Sequence, residues 1–139
     1  MQIDHATLKV EPGVELTAGK RVHADQSGNL DDLGKRIRDA GLRLGLSTHG
    51  YAEMIRADAV SPSYIALGAV FPTTLKRMKT APQGVGRLAA YARLMRHHPL
   101  VAIGGIDPSR IADVMRSGVG SIAVVRAITA QAEPEHAAQ

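Results

Sequence analysis

The stretch Tyr64-Ile-Ala-Leu-Gly-Ala-Val-Phe-Pro-Thr-Thr-Leu-Lys76 decides the fold. Its first seven residues form a nearly unbroken apolar run, the pattern of a strand buried on both faces of a parallel sheet. Pro72 has no N–H to give to a sheet ladder, so the strand is expected to end near it. Two hydroxyls and an ammonium follow at once, on Thr73, Thr74 and Lys76. A buried strand that delivers such groups at its carboxyl end marks where α/β proteins place ligand sites.

Working back from this strand, Tyr51–Ala59 reads as a helix. Residues 42–46 read as the strand before it, ending in Ser47-Thr48-His49-Gly50. Earlier still, residues 21–24 read as a short strand closed by a polar segment. A helix is expected over 30–40, with Leu30, Leu33 and Ile37 on one face and Gly41 as its stop. Residues 1–20 form an N-terminal extension that reads either as two short strands about Pro12-Gly13 or as a lead-in without structure.

Working forward, residues 77–86 are polar and too long for a routine connection, which is the pattern of a lid or binding loop. A helix is expected over 86–97, with Leu88, Ala92 and Met95 on its apolar face. A strand over 100–103 is closed by Gly104-Gly105-Ile106. Asp107-Pro108 is a helix start, with Asp as N-cap and Pro at the first helical position, and Ser117-Gly118 ends that helix. A strand over 121–125, a short helix over 126–132 and a polar tail over 133–139 complete the chain. Strands near 22, 43, 64, 100 and 121 thus alternate with helices, which gives an α/β fold with a parallel sheet and right-handed crossovers.

With 139 residues the chain is long enough for one domain with a real core. Its 45% apolar and 22% charged residues are ordinary for a soluble globular protein. No run approaches the roughly 18 apolar residues a membrane helix needs, and no signal-peptide core is seen, so no membrane partner is expected. The absence of cysteine excludes disulfides and thiolate metal sites and fits a cytoplasmic protein. One Phe, three Tyr and no Trp leave little surface for stacking bases. The net charge of +4 is spread over several helices rather than gathered in a stripe, so nucleic acid is not an expected partner.

The strand ends bring together Asp25 or Gln26, Ser47-Thr48-His49, Thr73-Thr74-Lys76, Gly104-Gly105 and Val125-Arg126. Hydroxyls, cations and glycines with few carboxylates suit phosphate oxygens better than carboxylate-driven hydrolysis. Gly104-Gly105 reads two ways: as tight packing, or as a place where a ligand approaches backbone N–H groups beside a helix start. His49 has no acidic or histidine neighbour at metal-ligand spacing, and fits either a hydrogen-bonding role or acid/base work. His97-His98 read as surface residues at a helix end. No Ser-His-Asp motif, Walker loop or zinc pattern is present.

These segments together resemble the thiamine-phosphate synthases. The resemblance runs from about Val22 to Ile128. It is carried by Gly45-Leu-Ser-Thr-His49, the Tyr64 to Lys76 stretch, Ala81-Pro-Gln-Gly84, Val101-Ala-Ile-Gly-Gly-Ile106 and Gly118-Val-Gly-Ser-Ile-Ala-Val-Val125. It implies a TIM-type (β/α) barrel that joins hydroxymethylpyrimidine diphosphate to a thiazole phosphate, with Mg2+ assisting departure of pyrophosphate. By motif, Ser47 and Lys76 would contact the pyrimidine diphosphate. Thr73, Thr74 and the backbone at Leu75 would lie on the thiazole phosphate side. Gly104, Gly105 and Val125-Arg126 would hold the thiazole phosphate through N–H groups. A related activity, thiazole tautomerisation, would use His49 to move a proton, and a phosphate-binding or partner-binding remnant is a third reading.

The sequence departs from the family at several points. The family's Gln-Leu-Arg-x-Lys diphosphate stretch and its Asn-Asp metal pair are not found. A second metal-binding Asp aligns with Gly28 in Val22-His-Ala-Asp-Gln-Ser-Gly28, so Asp25 or Asp31 would have to compensate. Leu75 stands where a third Thr is usual, and Arg126 where Ser is common. Three further βα units, each of roughly 25 residues or more, do not fit into residues 1–20. The expectation is therefore a partial barrel over 21–132 that self-associates or is completed by a partner chain.

Overall fold

The computed structural model describes residues 21–24, 30–75, 77 and 80–139. The lead-in over 1–20, Asp25 and Lys76 lie outside the described residues. Five strands, β1 (Arg21–Ala24), β2 (Arg43–Thr48), β3 (Tyr64–Leu67), β4 (Leu100–Ile103) and β5 (Ser121–Ala123), form one sheet in the order β1-β2-β3-β4-β5. Every neighbouring pair is parallel. Each strand therefore lies beside the next one in sequence, without the switch point of a doubly wound sheet. That is the wall of a TIM-type (β/α) barrel.

Crossover helices α1 (Leu30–Asp39), α2 (Tyr51–Ala59), α3 (Gly84–Leu94) and α4 (Ile111–Arg116) connect the strands, and α4 is preceded by a 3₁₀ turn at Pro108–Arg110. The period of two puts Leu44 and Leu46, Ile65 and Leu67, and Leu100 and Ala102 on one face of the sheet. All six are buried, against Ile37, Met54, Leu88, Met95 and Val114 among others. Each buried Leu or Ile contributes about 1.5–3 kcal/mol, so this layer between sheet and helices holds the fold. The opposite face carries Gly45, Ser47, Ala66, Val101, Ile103 and Ala123. The Tyr64 ring covers Gly45, its register partner. Toward the carboxyl end that face opens, and Ile103 is 37% exposed.

Several element ends differ from expectation. The apolar run that begins at Tyr64 leaves the ladder at Leu67, well before Pro72. Beyond it Gly68 lies so close to the Ile103 carbonyl that no side chain fits between them, and Val70 N–H donates to Ile103 O at 3.0 Å. Ala69 and Val70 are buried, but in a turn. Conversely β2 runs on through Ser47-Thr48, which pair with Ala66 and Leu67. The Thr48 hydroxyl is buried and donates to the Ala66 carbonyl at 3.0 Å, which makes the extension favourable. The long connection after β3 is closed at its base, where Gln83 and Gly84 N–H groups donate to the Ala69 and Val70 carbonyls. As a result α3 starts at Gly84 rather than Gly86. β5 ends at Ala123, and α5 is the single turn Arg126–Thr129. The segment expected as a polar tail contains one exposed helical turn, α6 (Pro134–Ala137).

Candidate functional site

At the carboxyl ends of β2 to β5 the structure has a cavity of about 560 Å³. Its wall includes Ser47 and His49 from β2 and its following turn, Thr73, Thr74 and Leu75 after β3, Gly104 and Gly105 after β4, and Val125 and Arg126 after β5. These segments are 20 or more residues apart in the chain, and the parallel sheet aligns their ends on one side. Ser47 and Thr48 are consecutive on a strand and so point to opposite faces: Thr48 into the helix layer, Ser47 toward the cavity side.

Gly104 (φ 103°) and Gly105 (φ 64°) adopt backbone conformations that favour glycine. A Cβ on Gly104 would sit 2.6 Å from Ala69 Cα, and one on Gly105 would sit 2.9 Å from Phe71 Cβ. Of the two sequence readings of this pair, tight packing against the turn after β3 therefore accounts for the glycines directly. Asp107 caps the 3₁₀ turn from extended backbone, its Oδ1 accepting Ser109 N–H at 2.9 Å. The start at Pro108 is thus a short turn whose Ser109 N–H is already used, not a long helix with free donors. The Ser109 hydroxyl bond first, then the charge of Arg110, hold the Asp107 carboxyl below its usual range.

Arg110 is spread over three partners: the Gly105 carbonyl at 2.8 Å, Asp107 Oδ2 at 3.3 Å and the Phe71 ring at 4.5 Å. It braces the turn. Arg126 is exposed and reaches across the cavity to donate to Thr74 Oγ1 at 2.6 Å. Thr73 Oγ1 accepts the Leu75 N–H at 3.3 Å, so that N–H is turned back on its own loop. Both threonine hydroxyls accept in these bonds and keep a proton to donate to an anion.

The sequence reading, in which His49 has no acidic or histidine neighbour at metal-ligand spacing, is corrected by the fold, which places a carboxylate beside it. Glu53 Oε2 lies 2.9 Å from His49 Nδ1 and also accepts the His49 N–H at 2.9 Å. The first turn of α2 begins at Gly50, which has no capping side chain, and brings residue i+4 back over His49. The His-x-x-x-Glu spacing across a helix start was the signal available in the sequence. Gln83 was also missed. Its amide donates to the His49 carbonyl at 2.8 Å and accepts from Tyr91 Oη at 3.2 Å, tying the turn after β2 to the base of the connection after β3.

The model of the family described as "Thiamine monophosphate synthase" matches residues 14–128. The chain belongs to this family. A thiamine-phosphate synthase of Neisseria meningitidis serogroup A is 57% identical over 99 residues, covering 71% of this chain and 48% of its own length. One from Cronobacter sakazakii is 59% identical over 93 residues, covering 67% of this chain and 44% of its own. The chain thus spans about half the length of the curated relatives it matches. Among solved structures, thiamine phosphate pyrophosphorylase from Pyrococcus furiosus superposes with a TM-score of 0.72 at 27% identity. That match covers 84% of this chain and 54% of the other.

The Mg2+ expected from the family does not fit the described part of the cavity. Mg2+ needs several oxygen ligands in octahedral array. Among the described residues the carboxylate on the cavity wall is Asp107, and its oxygens are committed to Ser109 and Arg110. Asp25 lies outside the described residues, and Asp31 sits in the exposed first turn of α1.

Proposed function

We propose that this chain forms the thiazole-phosphate side of a thiamine-phosphate synthase site, for coupling hydroxymethylpyrimidine diphosphate to thiazole phosphate with release of pyrophosphate. The observation that carries the reading is the convergence of Thr73, Thr74, Gly104-Gly105 and Val125-Arg126 on one cavity, in a chain of this family. Arg126 and the two threonine hydroxyls supply the charge and donors for the phosphate, and the N–H groups about Gly105 and Arg126 add backbone donors. Ser47 and Lys76 are assigned to the pyrimidine diphosphate. In this reading residues 21–132 act as a partial barrel in the cytoplasm, and the remaining wall and any magnesium ligands come from outside the described residues or from another copy or partner chain.

Calorimetry with the thiazole phosphate tests the half-site, and measurement of thiamine phosphate from both substrates with Mg2+ tests the coupling. Saturable binding that Arg126→Ala weakens is the expected result. A chain that neither binds the thiazole phosphate nor forms product would overturn the reading. The His49–Glu53 pair favours a second reading, proton transfer on a thiazole, since an acid/base imidazole oriented by a carboxylate is its usual requirement. Full tautomerase turnover by His49→Ala would rule it out.

A further inference from the structure

At the opposite end of the sheet three metal-ligating side chains converge. Asp58 lies in the last turn of α2, and His97 and His98 lie between α3 and β4. Both imidazole Nε2 atoms are 2.8 Å from the same oxygen, Asp58 Oδ1. The three candidate ligand atoms all lie within 4.8 Å of one another. Consecutive side chains rarely aim at one point, yet here the two rings sit with centroids 4.4 Å apart, both directed at Asp58. The His98 side chain is only 9% exposed, which contradicts its reading as a surface residue and fixes its ring in place.

The backbone under the cluster is fixed as well. Pro99 O accepts the Ile65 N–H at 3.0 Å, Asp58 O accepts the Ser61 N–H at 3.0 Å, and the Ser63 N–H donates to Leu44 O at 2.7 Å. The ligands thus flank the start of β3, and little ordering is left to do when an ion binds.

We propose that Asp58, His97 and His98 form a site for a divalent transition-metal ion of the Zn2+ type, which clips α2 to the entry of β4. Two imidazole nitrogens and one carboxylate oxygen are the donor set of such ions and not of Mg2+ or Ca2+. Tetrahedral bonds of about 2.0–2.1 Å separate ligand atoms by roughly 3.3 Å, so each of the two N···O separations of 2.8 Å has to open by about half an ångström. Asp58 and His97 are 38% and 56% exposed at the side chain, which leaves the fourth position to water. The ion binds the folded chain alone and so raises its melting temperature.

The test uses the full chain stripped with a chelator. Co2+ is titrated by its visible absorption, Zn2+ is added in competition, and thermal unfolding is followed with each. One ion per chain and a melting point that rises with Zn2+ but not with Mg2+ are expected. His97→Gln leaves a half-exposed position and should not disturb folding. It is expected to weaken Co2+ binding about tenfold or more, since even loss of an outer-shell partner costs roughly that much. Asp58→Asn is expected to act in the same direction, and His136→Gln to change nothing. Absence of a Co2+ spectrum, an equal response to Mg2+, or binding that survives His97→Gln and Asp58→Asn would overturn the proposal.

Discussion

The two ends of the β2 to β5 sheet are built on different principles. At the carboxyl end, backbone is packed against backbone: Gly104 and Gly105 nest against Ala69 and Phe71, and polar side chains are directed into a cavity. At the amino end, charged and titratable side chains converge on one carboxylate oxygen. The contrast teaches where each end is vulnerable. The carboxyl end is expected to tolerate exchange of its exposed side chains but not an added methyl group in its turns. The amino end is expected to keep its shape when an exposed side chain is exchanged but to lose part of its ligand set.

The strongest way to break the contrast is Gly104→Ala. A methyl group in contact with Ala69, together with a positive φ, is expected to cost about 2–4 kcal/mol in urea unfolding and to weaken thiazole phosphate binding, while leaving the Zn2+ response in place. Next, Arg126→Ala removes the exposed cation beside Thr74. It should weaken thiazole phosphate binding about tenfold by calorimetry with unfolding unchanged, because hydrogen bonds to charged groups contribute about 1.5–3 kcal/mol. Thr48→Val acts at the carboxyl end of β2, on its helix-facing side. It removes the side-chain donor to the Ala66 carbonyl and should lower stability by about 1 kcal/mol, with both ligands binding as before.

The smallest effect is set by pH. The folded state holds the Asp107 carboxyl below its ordinary range, so its contribution to stability is complete at and above that range. It is lost as pH falls through the depressed folded value. Thermal unfolding of wild type against Asp107→Asn should therefore differ at neutral pH and converge in strong acid.

The fold was largely legible in the sequence because hydrophobic pattern and turn residues agree along most of the chain. The α2 limits Tyr51 and Ala59 were read directly, and each strand was placed within a few residues. The overshoot of β3 has a plain cause. Ala69 and Val70 are as apolar and as buried as Ile65, and an apolar run does not distinguish a strand from a turn packed under its neighbour. At the candidate site, the residues at the strand ends were legible because parallel topology brings such ends together. Partners set by tertiary packing were not. Asp58 meets His97 and His98 across 39 and 40 residues. Glu53 reaches His49 only because α2 turns immediately after it.

The nesting of Gly104 and Gly105 also bears on how such a site can change its ligand. A position whose every added atom strikes a neighbouring main chain offers selection nothing to vary. Divergence toward another anion, whether by drift or by design, is channelled instead into Thr73, Thr74 and Arg126, whose side chains can change without moving the chain that carries them.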